Sequence, residues 1–192
     1  MKLGFVSAIL DGWTFEEMID VAHDLGFTCV EVACWPAGKA ERRYAGVSHI
    51  DVCNTSEEYI RRVKDLFARY GLTISALAFY PNPLDPEKGP AAVEHLYHVI
   101  EMSALLGVNL VTTLIGRDRT ETVEENLELV KTVWPPVLEY AREKGVRIAI
   151  ENCPMLFGSD QWPGGQNLFT SPANWKKVLE VLPYDNLGIN YD

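Results

Sequence analysis

One phrase recurs along this chain: an oxygen-bearing cap, an amphipathic helix, a single glycine and a short apolar run. Thr14 and Glu17 open the first helix as a capping box, Phe15, Met18, Ile19, Ala22 and Leu25 make its stripe, and Gly26 ends it before a strand at 28–33. Thr55 and Glu58 repeat the box, Ile60, Val63, Phe67 and Tyr70 repeat the stripe, and Gly71 precedes a strand at 72–79. A helix at 90–106 closes on Gly107 before a strand at 108–115. Thr122 and Glu125 start a longer helix, expected to kink at Pro135-Pro136, and Gly145 leads into a strand at 146–150. Ser171-Pro172 supplies an N-cap and a first-turn proline for a helix ending at Pro183. With residues 3–8 and 187–192 the strands number six.

Strands that alternate with helices form a parallel sheet with crossover connections. A doubly wound sheet would normally carry a glycine-rich phosphate loop after its first strand, and residues 7–12 contain no such pattern. The turns that precede strands are tight and marked by glycine. The loops that follow them are long and rich in aromatic, proline and polar residues, which suits a (β/α) barrel with its chemistry at the strands' carboxyl ends. The expectation is one domain over 1–192, the N-terminal portion of a (β/α)8 TIM barrel with about six β/α units.

The functional reading starts at Val146-Arg147-Ile148-Ala149-Ile150-Glu151-Asn152-Cys153-Pro154. A short apolar run, as in a buried parallel strand, ends on a carboxylate, an amide and a proline. A charge at that place is costly unless something binds it, so Glu151 is the leading candidate residue. Net charge −10 disfavours a nucleic-acid or anionic-membrane partner, and the only basic cluster, 39–43, is short. No stretch approaches the ~20 apolar residues of a membrane span. Four scattered cysteines without CxxC spacing read as reduced thiols, and the N-terminus lacks a signal peptide's apolar region, so a cytoplasmic location is expected.

The phrases Cys34-Trp35-Pro36, Tyr80-Pro81-Asn82-Pro83-Leu84-Asp85, Ile150-Glu151-Asn152-Cys153-Pro154 and Leu187-Gly188-Ile189-Asn190-Tyr191-Asp192 resemble the sugar phosphate isomerase/epimerase family. This is the xylose isomerase-like TIM-barrel group. The resemblance implies that Glu151 and Asp192 hold one divalent metal (Mn, Mg, Co or Zn), with Glu151 also the catalytic acid/base. It implies a metal-dependent isomerase or epimerase of a sugar or sugar phosphate, which abstracts the proton beside a carbonyl and passes through a metal-stabilised enediolate. The family's further metal ligands, a His and a second Glu, come from later strands. The 192-residue chain alone is therefore expected to turn over no sugar.

Trp35, Phe79 and Tyr80 could stack on a sugar ring, Asn82 and Asn152 could bond its hydroxyls, and Arg117 could meet a phosphate or another anionic group. His49, in the long loop after the second strand, could fold over the pocket. His95 and His98, at i and i+3 on a helix, suit packing or surface roles better than ligation. Three rivals stand beside this reading. An apurinic endonuclease on the same barrel is disfavoured, because the ends of the third and fourth strands carry no histidine. A keto-inositol or sugar dehydratase would share the metal and the abstraction step. A non-catalytic sugar-binding or interaction module is the third, and a homo-oligomer stays open.

Overall fold

The structure is a computed structural model that describes residues 2–36, 45–156 and 165–192. The basic cluster 39–43 lies outside the described residues. The chain runs β1 (Gly4–Val6), a 3-10 turn (Ser7–Ile9), α1 (Phe15–Asp24), β2 (Cys29–Ala33), α2 (Glu57–Arg69) and β3 (Thr73–Ala78). It continues through α3 (Gly89–Leu106), β4 (Leu110–Thr113), α4 (Val123–Glu143), β5 (Arg147–Glu151), α5 (Pro172–Val181) and β6 (Leu187–Asn190). The strands follow one another in chain order in a six-stranded sheet. The β1–β2, β2–β3 and β5–β6 pairs are parallel, as alternation with helices requires.

The helix punctuation read from the sequence holds at most positions. Thr14 and Thr122 cap α1 and α4 in complete capping boxes with Glu17 and Glu125. Gly26, Gly71, Gly107 and Gly145 all take the left-handed conformation that ends a helix. One detail differs. The cap of α2 is Ser56, whose hydroxyl oxygen accepts from the Tyr59 amide, because Asn54 Oδ1 already accepts both the Ser56 amide and its hydroxyl. No box forms with Thr55 and Glu58. The helix α4 runs on through Pro135 and Pro136 to Glu143, just short of Gly145 where the sequence ends it.

Two strands, β1 and β4, are only about half as long as expected. β1 gives way at Ser7 to the 3-10 turn, and β4 begins only after Asn109, which is left-handed at φ 59°. A left-handed residue cannot extend a parallel ladder.

The described residues gather into two compact units, Met1–Phe79 with His98–Val111, and Tyr80–Tyr97 with Thr112–Asp192. In the first, α1 and α2 lay Met18, Ile19, Ala22, Val63 and Phe67 against the sheet, and Val30, Val32 and Leu77 are fully buried there. Phe15 and Phe67 meet at 5.9 Å between ring centres. In the second, Trp134 of α4 is fully buried and donates its indole N–H to the Ile115 carbonyl at 2.9 Å. That bond satisfies the one polar atom of a large apolar side chain. Asn186 donates to the Leu138 carbonyl at 3.0 Å, fastening the approach to β6 onto the same helix.

Gly4 makes the closest approach in the sheet. A Cβ placed there would sit 2.4 Å from the Cys29 carbonyl oxygen and 2.6 Å from its sulfur. Gly4→Ala should therefore force β1 away from β2 and cost about 1–3 kcal/mol, the usual range for overpacking. Urea unfolding of the two proteins measures it, and an unchanged midpoint would contradict the β1–β2 register described.

Candidate active site

β5 and β6 end side by side. Their register pairs Ala149 with Gly188 and Glu151 with Asn190. Alternation along β5 separates the fully buried Ile148 and Ile150 from Ala149 and Glu151, which stay partly exposed on the opposite face. Glu151 and Asn190 thus share the face away from the Ile148 and Ile150 side chains. Asp192 follows Asn190 by two residues, so its main chain reaches just beyond the pair.

Both strand ends are held by side-chain amides. Asn152 Oδ1 accepts the Asp192 amide at 2.8 Å, and Asn152 Nδ2 donates to the Asp192 carbonyl at 3.3 Å. The Asn152 side chain therefore acts as one more rung, past the point where the backbone ladder stops. Asn167, fully buried, donates through Nδ2 to the Glu151 carbonyl at 2.8 Å and to the Cys153 carbonyl at 2.7 Å. Buried carbonyls beyond a strand need such partners, since an unmade bond costs about 1–3 kcal/mol.

The end of β4 is tied in the same manner. Asn82 donates to the Arg117 carbonyl at 2.8 Å and accepts the Arg117 amide at 2.7 Å. The preceding residue, Gly116, has φ 87°, and a Cβ on it would lie 2.6 Å from Asn82 Oδ1 and 2.9 Å from the Leu84 nitrogen. Only glycine meets both demands. The Leu168 amide donates to the Gly116 carbonyl at 3.0 Å, and Leu168 adjoins the Asn167 that holds Glu151. Tyr80 shares a 3.4 Å hydrogen bond between its hydroxyl and Asn190 Nδ2.

The expected site residues thus divide between the units. Tyr80, Asn82, Arg117, Glu151, Asn152 and Asp192 belong to the second and are linked there by the bonds just described. The side-chain amides of Asn82 and Asn152 bind main chain. Trp35 and His49 belong to the first unit. Trp35 is half-buried, edge-on to Phe79 at 4.9 Å.

The loop carrying His49 folds back on β2 through an antiparallel bridge between Cys34 and Ser48, with the His49 amide donating to the Ala33 carbonyl at 3.0 Å. The ring is buried, and its Nδ1 lies 3.0 Å from Ser7 Oγ, which also accepts the Ala33 amide at 2.8 Å. Which of the two donates in the Ser7–Nδ1 contact depends on the ring's tautomer. Burial lowers the His49 pKa. The Trp13 and Leu10 carbonyls oppose that shift, yet neither closes a hydrogen bond to Nε2, which is buried without a partner among the described residues. Burial also pushes the Cys34 thiol up, keeping it protonated. Of the two histidines on α3, His95 is buried and His98 exposed.

Among the described residues no group of three or more His, Cys, Asp or Glu is placed to hold a metal ion. Glu151 and Asp192 are both hard oxygen donors at adjacent strand ends, which fits part of the shell of a divalent cation such as Mg or Mn. The sequence reading missed Asn167, Asn190, Gly116 and Ser7 as residues that shape these ends. Asn190 stood inside a recognisable phrase. Nothing local marked Asn167 or Ser7, whose partners are distant in sequence.

Two outcomes follow from these ties. Because the folded His49 has the lower pKa, the unfolded chain binds more protons between the two values, and stability must rise with pH across that interval. The His49 contribution is complete above the ordinary value of 6.5 and is lost as pH falls from there through the folded value. Urea unfolding between pH 7.5 and 5 should show this loss, and His49→Gln should flatten it. Asn152→Ala should speed hydrogen exchange at the Asp192 amide while changing global stability by only about 1 kcal/mol. Exchange as slow as in the parent would show that the tie does not form.

Comparison with known proteins places this architecture. Residues 19–192 match the family model described as xylose isomerase-like TIM barrel. The uncharacterized protein YfiH of Bacillus subtilis (strain 168) is 28% identical over 142 residues, which is 72% of this chain and 44% of that protein. The structure of an L-ribulose 3-epimerase superposes with a TM-score of 0.70 at 20% identity, covering 100% of this chain and 60% of that one. A xylose isomerase-like TIM barrel protein from Mycobacterium smegmatis, in complex with magnesium, superposes at 0.67 and 14% identity over 98% of this chain and 63% of that one. The chain thus spans less than two thirds of the length of each of these relatives. At such identities the superpositions establish the fold, a partial barrel of six β/α units. The chain belongs to the xylose isomerase-like TIM barrel family.

Proposed function

We propose that this chain forms part of a divalent-metal-dependent isomerase or epimerase that acts on a sugar or sugar derivative by moving a proton beside a carbonyl. The observation that carries this reading is the β5–β6 register, which sets Glu151 opposite Asn190 and brings the Asp192 main chain onto Asn152. Two carboxylates at neighbouring strand tips, on main chain that is itself tied, suit a task in which geometry must not drift. An L-ribulose 3-epimerase among the structural neighbours is in keeping with the reading.

Glu151 and Asp192 would hold the cation, with the remaining ligands supplied from outside the described residues. A divalent ion bound there supplies Lewis-acid polarisation of the substrate's oxygens, which acidifies the adjacent C–H. Glu151 removes that proton from carbon, and the electron pair moves onto the carbonyl oxygen to give an enediolate. Return of a proton to the same carbon from the other face, by an acid outside the described residues, inverts it, and return by protonated Glu151 to the neighbouring carbon interconverts ketose and aldose. The Tyr80 hydroxyl and the Asn190 amide are positioned by each other, and they offer donors and acceptors to the substrate's hydroxyls.

The test uses the full-length protein, loaded with manganese, and a panel of ketoses in deuterium oxide. Glu151→Gln keeps the shape of the side chain but loses its charge and basicity. It should lower metal content and cut deuterium incorporation at least about 100-fold, the low end of general-base contributions. Metal content and exchange close to the parent would refute the assignment. Release of water from the ketose, with a dehydrated keto product, would identify a dehydratase instead.

A further inference from the structure

We infer that Asn190, oriented by Tyr80, is a specificity-determining residue beside Glu151 that binds the hydroxyl on the carbon next to the one that loses its proton. The inference rests on the reading above for where the reaction occurs, and it adds which part of the substrate is recognised and by what chemistry.

The asparagines at these strand ends divide by what their amides bind. Asn82 and Asn152 each spend a donor and an acceptor on the main chain of one residue. Asn167 also spends both on main chain, at Glu151 and Cys153 through Nδ2 and at Phe169 through Oδ1. Asn190 differs. Its side chain bonds no main-chain atom, and among the described residues its one hydrogen bond runs from Nδ2 to the Tyr80 hydroxyl at 3.4 Å. That leaves a second Nδ2 hydrogen and the lone pairs of Oδ1 uncommitted. The residue is partly exposed, so a ligand can reach these atoms.

The ladder decides where the amide stands. Asn190 is the register partner of Glu151, and paired residues of adjacent strands project from the same face. The two side chains therefore leave the sheet one strand spacing apart, about 4.8 Å. The residue type is also informative. A carboxylate in this position would add a third negative charge beside Glu151 and Asp192 in a chain of net charge −10, whereas an amide adds none. A neutral group that both donates and accepts matches a hydroxyl, which does the same. Tyr80, 110 residues earlier in the chain, fixes the plane of the amide through its hydroxyl. An amide held in this way binds a ligand without first having to be ordered.

The proposed reaction then selects the hydroxyl. In a ketose that loses the proton from carbon 3, the oxygens on carbons 2 and 3 are the ones polarised during the reaction. The first hydroxyl left for a neutral partner is on carbon 4, one bond from the reacting carbon. A side chain one strand away from Glu151 is at the right distance to hold it. A site that hydrogen-bonds a hydroxyl discriminates against the analogue lacking it, because its own donor and acceptor are then left unmatched.

The test titrates the full-length protein, loaded with manganese, by calorimetry with D-fructose, D-tagatose and 4-deoxy-D-fructose. The first two differ only in the direction of the carbon-4 hydroxyl, and the third lacks it. The better bound of the two ketoses should exceed the deoxy sugar at least about fivefold, within the range of one neutral hydrogen bond. Asn190→Leu, close in shape but without hydrogen-bonding atoms, should bring that ketose to within about twofold of the deoxy sugar, whose own affinity stays unchanged. Tyr80→Phe should reduce the preference in the same direction, and both substitutions together should do no more than Asn190→Leu alone. Equal affinity of the parent for all three sugars, no binding of any, or equal weakening of all three by Asn190→Leu overturns the inference. Should Asn190→Leu fail to fold by circular dichroism, Tyr80→Phe decides, and an undiminished preference overturns it. Deuterium uptake at carbon 3, followed separately, keeps the two readings apart. Uptake without a carbon-4 preference defeats only this inference, whereas an Asn190-dependent preference without uptake on any sugar defeats only the proposed reaction.

Discussion

A parallel strand runs out of hydrogen-bond partners at the end where this fold places its chemistry. The backbone ladder between β5 and β6 pairs Glu151 with Asn190 and goes no further, yet on the proposed function the next residues must hold their positions to within a fraction of an ångström. In this chain the missing rungs are asparagine side chains. An asparagine amide carries a donor and an acceptor in the arrangement of a peptide group, so it can bind the amide and carbonyl of a single residue. Asn152 does so to Asp192, and Asn82 does so to Arg117.

Rigidity at these ends changes what the side chains can do. A carboxylate on a mobile loop must be ordered each time it engages a ligand, at a cost of the order of 1–2 kcal/mol per residue fixed. At Glu151 the main chain is already ordered, since Asn167 binds the carbonyls on both sides of Asn152. The same holds for Arg117, whose neighbour Gly116 accepts a conformation that other residues strain to adopt. On the proposed function, the protein meets its entropic cost during folding, and the substrate meets little of it.

Helices and strand order were legible because their signals are local. Thr14 with Glu17, Thr122 with Glu125 and the four helix-ending glycines announce themselves within a turn of chain. The cap of α2 went to Ser56 instead of Thr55: Asn54 Oδ1 takes the serine's hydroxyl hydrogen and leaves its oxygen to accept the Tyr59 amide, and two neighbouring candidates cannot be ranked without the loop's geometry. β1 and β4 came out short for a related reason: Ser7 turns aside toward His49 and Ala33, and Asn109 is left-handed. At the site, Glu151, Arg117 and Asp192 stood out as charges at strand ends. The amides of Asn82 and Asn152 could be recognised as hydrogen-bonding groups, but the sequence does not reveal that their partners are main-chain atoms 35 and 40 residues away.

Dependence on asparagine has a chemical consequence. Asparagine side chains age by cyclising onto the amide nitrogen of the following residue, which converts them to aspartate or isoaspartate. Asn82 is followed by Pro83, which has no N–H, so that route is closed at the β4 end. Asn167 precedes Leu168, whose nitrogen is already donated to Gly116. Asn152 precedes Cys153 and has no proline to shield it. Conversion there would replace the donor that faces the Asp192 carbonyl with a second negative oxygen, so the chemical lifetime of one amide bounds the working life of the β5–β6 junction.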